Sequence, residues 1–291
     1  MTAPRKTVFF KEDLPPQKRG AMHQRFADMF PGAFENLDEV VAYLGRILVP
    51  ASRTWAFTAN YKCGTTTTKR LLFELEFGTP LTVELNATDD INTDIVPHKL
   101  QGAQIFRSLA TLPRAPEVLK SALRLSTVRH PASRALSAFF YICETQEQKH
   151  VWMLQDRLRM NAMLGFDWRH DMRTAAGFVK FLRFIELVRD QAGIIHVNRH
   201  WQPQFGLIRP DVLAPDLIGR VENLPPFFTE LAARLDKPLP AHFATLRSNR
   251  QNRSDVAGLI TAEAEALITA IFAQDYEWLG YQPDEWRKGQ A

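Results

Sequence analysis

The sequence predicts an α/β fold with a central, mainly parallel sheet flanked by helices. Three observations predict it. An apolar strand, a glycine-hinged loop and a helix follow one another over residues 55–77; a second strand runs into a helix over 123–142; and short apolar runs at 194–197 and 217–221 lie among further helical segments. Strands alternating with helices bury both faces of a parallel sheet. The 291 residues read as one domain, with 1–50 as an N-terminal arm and helix.

Taken in order, residues 1–20 are polar and proline-bearing and read as an arm. Residues 37–49 (LDEVVAYLGRILV) carry helical periodicity up to Pro50. Trp55, Phe57 and Tyr61 are strand-type residues, and Gly64 permits a tight turn before a helix over about 66–77, where Leu71, Leu72 and Leu75 form the buried face. Residues 79–97, with Asp89, Asp90 and Asp94, read as loop and short strand. Residues 123–128 form a buried strand, Pro131 suits the first position of a helix, and Ala135, Phe139 and Ile142 give that helix an apolar face. The charged, Met-rich stretch 144–172 is a helical excursion. Thr174 caps a helix whose apolar side includes Phe178, Phe181, Leu182 and Ile185. Strands at 194–197 and 217–221, a helix over 225–235, a basic loop at 247–254 and a helix over 261–272 complete the chain.

The composition, 45% hydrophobic and 23% charged, is that of an ordinary soluble globular protein. A net charge of +4 suits anionic ligands but falls short of a nucleic-acid binder, since acidic residues are interspersed with basic ones. The N-terminus has no apolar signal-type core, and no run approaches 18 apolar residues, so a cytoplasmic protein is expected. Cys63 and Cys143 are the only cysteines, and Cys63 lies in the loop that must cradle a ligand; free thiols are expected. No Cys/His cluster has zinc spacing, and no metal is expected.

The chemistry centres on YKCGTTTTKRLL, residues 61–72. Lys62, Lys69 and the hydroxyls of Thr65 to Thr68 surround a helix start, where unpaired N–H groups and the helix dipole favour an anion. The bland alternative is a threonine-capped helix with solvated lysines. A phosphate-loop kinase requires G-x-x-x-x-G-K-[ST]; here Lys62 precedes the only nearby glycine, and no such motif is present. A second strand-end site pairs Arg129 with Ser137, eight residues apart, suited to a phosphate monoester. Ligands of such sheets bind beyond the carboxyl ends of the strands.

KCGTTTTKRLL resembles the 5′-phosphosulfate loop of sulfotransferases, and STVRHPASRALSAF resembles their 3′-phosphate motif. The likeness is closest to the carbohydrate sulfotransferase family 2 group. It continues in order through PHKL (97–100), HWQPQ (200–204), LIGRVENL (217–224) and DYEWLGY (275–281). The resemblance implies a phosphate-loop-like nucleotide-binding fold and 3′-phosphoadenosine 5′-phosphosulfate (PAPS) as donor. Carried over by position, Lys62, Gly64, Thr65, Thr66, Thr67 and Lys69 would hold the 5′-phosphosulfate, Arg129 and Ser137 the 3′-phosphate, and Arg134 would support that helix. The reaction would be in-line sulfuryl transfer to a hydroxyl, on a carbohydrate acceptor, with Lys62 neutralising the leaving oxygen. His98 is the first choice for the base and His200 the second. Glu222 is expected to anchor a loop by a salt bridge, and Arg247, Arg250 and Arg253 to cover the nucleotide. The 144–172 excursion is expected to shape the acceptor pocket. A binding protein that kept the phosphate sites without turnover is the alternative from another class, and His98 argues against it.

Overall fold

The computed structural model describes residues 7–85, 91, 94–245 and 258–288. Helices α1 (Pro16–Asp28) and α2 (Leu37–Arg46) lead into strands β1 (Ile47–Val49) and β2 (Trp55–Thr58). Then come α3 (Thr65–Phe77), α4 (Val96–Lys99), β3 (Arg107–Ser108) and α5 (Ala115–Ser121). Strand β4 (Leu123–Val128) runs into α6 (Pro131–Glu147), α7 (Leu154–Leu164) and α8 (Ala175–Ala192). The last third contains α9 (Gln204–Ile208), α10 (Pro210–Leu213), β5 (Leu217–Arg220) and α11 (Leu224–Arg234). It closes with α12 (Ala241–Ala244), α13 (Ala262–Ile271), α14 (Ala273–Leu279) and α15 (Glu285–Lys288).

Five strands form one sheet in the order β3-β1-β2-β4-β5. Strands β2, β4 and β5 are parallel, with Phe57 opposite Leu125 and Leu125 opposite Leu217. Strand β1 is antiparallel to both β2 and β3. The expected mainly parallel sheet is therefore mixed: a parallel centre with an antiparallel flank. The reason is the link from β1 to β2, residues 50–54, which is too short for a parallel crossover.

Successive β2 residues feed opposite faces, as the period of two requires. Trp55 and Phe57 pack with Leu71, Leu72 and Leu75 of α3 and Phe228 and Leu231 of α11. Ala56 faces the other way, onto a core with Met22 and Phe26 of α1, Tyr43 and Leu44 of α2, and Leu119 of α5. A third core joins Phe139 of α6, Phe178, Phe181 and Leu182 of α8, Trp201, and Ile268 of α13. Side-chain burial of Leu71 or Phe57 stabilises by roughly 1.5–3 kcal/mol each.

Four sequence readings change here. The helix expected over 37–49 ends at Arg46, because Ile47–Val49 is buried throughout and pairs as a strand; an uninterrupted apolar run fits either period. The N-terminal arm contains α1, started by Pro16 and holding Met22, His23 and Phe26 buried. The strand expected at 194–197 is a single 3₁₀ turn, Ile194–His196, in which Ile195 stays exposed. The loop and strand expected over 79–97 ends in α4, which carries His98; Asp94 pairs with Arg70, while Asp89 and Asp90 lie outside the described residues. Cys63 and Cys143 are both buried free thiols, and burial pushes Cys63 up to about 12, so it is inert.

Candidate active site

The carboxyl ends of β2, β4 and β5 share one edge of the sheet, and the loops leaving them build the site. After β2 the chain turns sharply: Lys62 sits at φ +63° and Gly64 at φ +69°. A glycine suits the second position because that φ lies in the left-handed region, which side chains rarely adopt. A lysine in the left-handed region is uncommon and marks a conformation fixed by its surroundings. Gly64 ends the loop as the N-cap of α3, with no side-chain cap, and the first helical bond runs from Thr68 N–H to the Gly64 carbonyl. The N–H groups of Thr65, Thr66 and Thr67 therefore precede the helical ladder.

The four threonines divide their work. Thr65 Oγ1 donates to the Asn60 carbonyl at 2.7 Å, and Thr68 Oγ1 to the Gly64 carbonyl at 3.0 Å, so both close the loop. Thr66 Oγ1 lies 3.2 Å from His98 Nε2, which brings α4 against the start of α3.

A cleft of about 450 Å³ opens here, lined by Lys62, Gly64, Thr65, Thr66, Lys69, His98, Ser137 and His200 together. Eight residues picked from four separate sequence segments thus share one space. Lys99 and Arg199 add two more cations, and no carboxylate is among the described lining residues. Burial pulls Lys62 down to about 8, helped by the charge of Arg129; burial and Arg199 do the same for Lys69. Lysines held this way gain most from an incoming anion.

Aromatic rings fix the positions of these charges. The Lys62 ammonium lies 4.1 Å from the Tyr141 ring centroid, and the Arg199 guanidinium 4.8 Å from that of Tyr61. His200 stacks on Tyr141 at 5.4 Å and tilts against Tyr61 at 4.8 Å. Asn198 Oδ1 accepts from the His200 backbone N–H at 3.1 Å and faces the ring Nδ1 at 2.9 Å. Because that oxygen is already an acceptor, Nδ1 carries the proton and Nε2 is left as the basic nitrogen. Asn198 Nδ2 donates in turn to Asp156 Oδ2 at 2.7 Å. Burial, together with the charges of Lys62 and Arg199, holds His200 far below the ordinary histidine range, so it is neutral at neutral pH.

The residues outside the cleft lining have other places. Thr67 is partly buried in the first turn of α3. Arg129 ends β4, with its N–H donating to Gln204 Oε1 at 3.0 Å and its carbonyl accepting from Gln204 Nε2 at 2.8 Å. Arg134 is buried and its guanidinium is occupied by three carbonyls, those of Tyr61, Gln202 and Arg199. It braces the Lys62 loop against the 199–202 segment, rather than supporting only its own helix. Glu222 makes no salt bridge among the described residues. It accepts from the His130 N–H at 2.8 Å and the Tyr281 hydroxyl at 2.9 Å, tying the β4–α6 turn to the C-terminal motif. Arg247, Arg250 and Arg253 lie outside the described residues.

The family model described as "Sulfotransferase family" matches residues 60–282, most of the chain. The chain belongs to the sulfotransferase family. No curated protein and no solved structure matches it. Membership gives the chain its general chemistry, the transfer of a sulfuryl group. The matched region begins just before the loop that carries Lys62 and ends just past Tyr281, whose hydroxyl donates to Glu222. No helix of the described residues is long and apolar enough to cross a membrane.

Several residues of the candidate site escaped the sequence reading. Tyr141 falls four residues after Ser137, on the same face of α6, a spacing that was available to find it. Arg199 directly precedes His200, but a single arginine beside a motif carries no signal of its own. Gln204 is the hub of the site: its Oε1 accepts from Asn60 Nδ2 at 3.0 Å, Cys63 Sγ at 3.3 Å and the Arg129 N–H. Asp275, fully buried, receives the Gln204 and Phe205 N–H groups at 2.9 and 2.7 Å. Only the fold brings these two motifs together.

Proposed function

We propose that the chain transfers the sulfuryl group of PAPS to a hydroxyl on a carbohydrate acceptor, using a phosphate-loop-like β2–α3 turn. The observation that carries this reading is the meeting of Lys62, Lys69 and the start of α3 in a cleft whose described lining has no carboxylate. Lys62, Gly64, Thr65, Thr66, Thr67 and Lys69 would hold the 5′-phosphosulfate, and Arg129 with Ser137 the 3′-phosphate. Arg134 acts from behind as a brace. In the transfer, the acceptor oxygen bonds to sulfur as the bond from sulfur to the phosphate oxygen breaks. Lys62 balances the charge that develops on that phosphate oxygen.

The acceptor proton goes to a histidine. His200 is favoured as base, because its Nδ1–H is held by Asn198 and its Nε2 is unprotonated at neutral pH. His98, exposed and against Thr66, is the second choice and also positions the loop. Trp152, from the 144–172 excursion, lines the cleft with Tyr61 and Tyr141, and such ring faces suit a sugar.

Calorimetry with adenosine 3′,5′-bisphosphate, then with ATP and magnesium, tests the donor. Tighter binding of the bisphosphate is expected, and preference for ATP overturns the assignment. Labelled donor offered to saccharides, lipids and simple alcohols then tests the acceptor; transfer confined to the non-sugars overturns that part.

A further inference from the structure

The side chain that holds His200 is itself held from outside the cleft. Asn198 Oδ1 accepts the His200 backbone N–H and faces Nδ1, while Asn198 Nδ2 donates to Asp156 Oδ2 at 2.7 Å. Asp156 lies 42 positions earlier in sequence, in the first turn of α7 and within the 144–172 excursion. A carboxylate there suits the positive end of the helix dipole. Among the described residues, however, its hydrogen bond goes to Asn198 and not to an N–H of α7. The neighbouring residue fixes where Asp156 stands. Arg157 is buried and donates to the Thr145 carbonyl at 3.1 Å, to Gln146 Oε1 at 2.6 Å and to the His150 carbonyl. The start of α7 is thereby locked to the end of α6 and the turn that follows it.

An asparagine can face a neighbour with its amide oxygen or its nitrogen, and the two forms have nearly the same shape. Two neighbours remove that choice for Asn198. The His200 backbone N–H needs an oxygen, and the Asp156 carboxylate, which can only accept, needs the NH₂. Both demands turn the oxygen toward the ring, and the ring answers with a proton on Nδ1. Were the amide turned over, Nδ1 would become the acceptor and the proton would move to Nε2, a form that cannot take a proton from a substrate there. His130 shows the contrast. The Ala132 N–H donates to its Nδ1 at 3.2 Å and its Nε2 meets the Gln282 carbonyl at 2.8 Å, so both ring nitrogens are spent on the backbone. Among the described residues, His200 has a hydrogen-bond partner at Nδ1 alone, and it lines the cleft.

We propose that Asp156 is a positioning residue for His200: by holding the Asn198 NH₂ it keeps the amide oxygen toward Nδ1, fixes the Nδ1–H tautomer and leaves Nε2 open to the acceptor proton. When Nε2 takes that proton, the ring becomes cationic among Lys62, Arg199, Arg134 and His98, whose charges all oppose it. Asp156 is joined to the ring through Asn198, and its negative charge, shared with nearby Arg159, offsets part of that opposition. The same excursion brings Trp152 to the cleft, so one segment would meet the acceptor and set the base. The catalytic consequence rests on His200 as the base of sulfuryl transfer; the tautomer does not.

Nitrogen NMR of the full chain, labelled at its histidine rings, reads the tautomer directly, with His200→Gln assigning the signal. At neutral pH the parent is expected to show Nδ1 protonated and Nε2 bare. Asp156→Ala is expected to mix the two tautomers. Asp156→Asn, whose own amide oxygen can still meet Asn198, should keep the parent form. With labelled PAPS and the saccharide acceptor that turns over fastest, Asp156→Ala should lower kcat about three- to tenfold, since it acts one bond further from the ring than Asn198. The donor KM should stay unchanged, and Asp156→Asn should recover most of the loss. If Asp156→Ala fails to fold, Asp156→Ser, too short to reach Asn198, takes its place. A parent-like tautomer in the alanine or serine variant overturns the proposal whatever the rates. So does a fall in kcat matched by a rise in donor KM in both the alanine and asparagine variants, which marks a structural loss. Mixed tautomers with unchanged kcat uphold the positioning of the ring and remove His200 as the base, so the two readings fail separately.

Discussion

The Lys62 ammonium rests 4.1 Å from the centroid of the Tyr141 ring, the same ring on which His200 stacks. One side chain of α6 therefore sets the spacing between Lys62, proposed to meet the leaving group, and His200, proposed as the base. A cation over a ring face is worth about 0.5–2 kcal/mol. Tyr141→Phe, which keeps the ring, should retain most turnover, whereas Tyr141→Leu should lower kcat roughly 2- to 30-fold. Equal rates for the two variants would show that the ring does not position Lys62.

Lys62 itself combines strain with function. It holds φ +63°, a region that costs a non-glycine residue about 1–2 kcal/mol, and its ammonium is largely desolvated. Lys62→Gly should therefore raise the thermal midpoint while kcat falls roughly 100- to 1000-fold, the loss typical of one removed charge-stabilising donor. Thermal melts and steady-state rates on the same preparation check both. A destabilised glycine variant would mean that the lysine's contacts outweigh its strain.

The pH dependence of donor binding follows from Lys62 and Lys69, each brought down to about 8 by burial. Anion binding needs both protonated, so affinity for adenosine 3′,5′-bisphosphate should be flat below pH 8 and fall above it. The fall should be about tenfold per pH unit for each lysine reprotonated on binding. Stability of the unliganded protein has the opposite sign. A lysine depressed in the folded state disfavours folding below its folded pKa, and that penalty fades as pH rises from about 8 toward the unfolded value near 10.4. Lys69→Met should remove part of both trends. Titrations by calorimetry and melts at each pH read them separately.

The elements of the sheet's parallel centre were legible because their signals are local. A strand, one glycine and a leucine-faced helix over 55–77, with Pro131 starting α6, needed nothing from elsewhere in the chain. Ile47–Val49 was not legible, since its three buried residues continue an apolar helix pattern and only pairing with β2 decides between them. The cleft followed the same division. Lys62 and Arg129 stand at strand ends and announced themselves, whereas Gln204 and Asp275 act through hydrogen bonds across 71 positions of sequence.

Asp275 offers a test of that hidden layer. It is fully buried, burial raises its pKa, and it holds the N–H groups that begin α9. Asp275→Ala leaves two buried donors unpaired and should cost about 2–5 kcal/mol. The larger effect should be on the donor site, because Gln204 links Asn60, Cys63 and Arg129. Under conditions where the variant is folded, its affinity for adenosine 3′,5′-bisphosphate should fall at least fivefold. Loss of stability with unchanged affinity would confine Asp275 to the core.

The two histidines can be separated by their pH profiles. His200 has its Nδ1–H on Asn198 and lies far below the ordinary histidine range, which is near 6.5. If it is the base, its neutral form is the active one, and kcat should fall only as pH drops through that depressed value. The acid limb then lies below 6.5. His200→Ala should lower kcat roughly 100-fold and remove the limb. Asn198→Ala should act more gently, about tenfold, since it frees the ring to turn without removing it, and Asn198→Ser should recover part of the loss by restoring an acceptor. His98→Ala should change the donor KM more than kcat, through Thr66. A full collapse of kcat in His98→Ala, with His200→Ala near the parent rate, would transfer the proton to His98 and leave His200 as a packing residue of the Tyr61–Tyr141 wall.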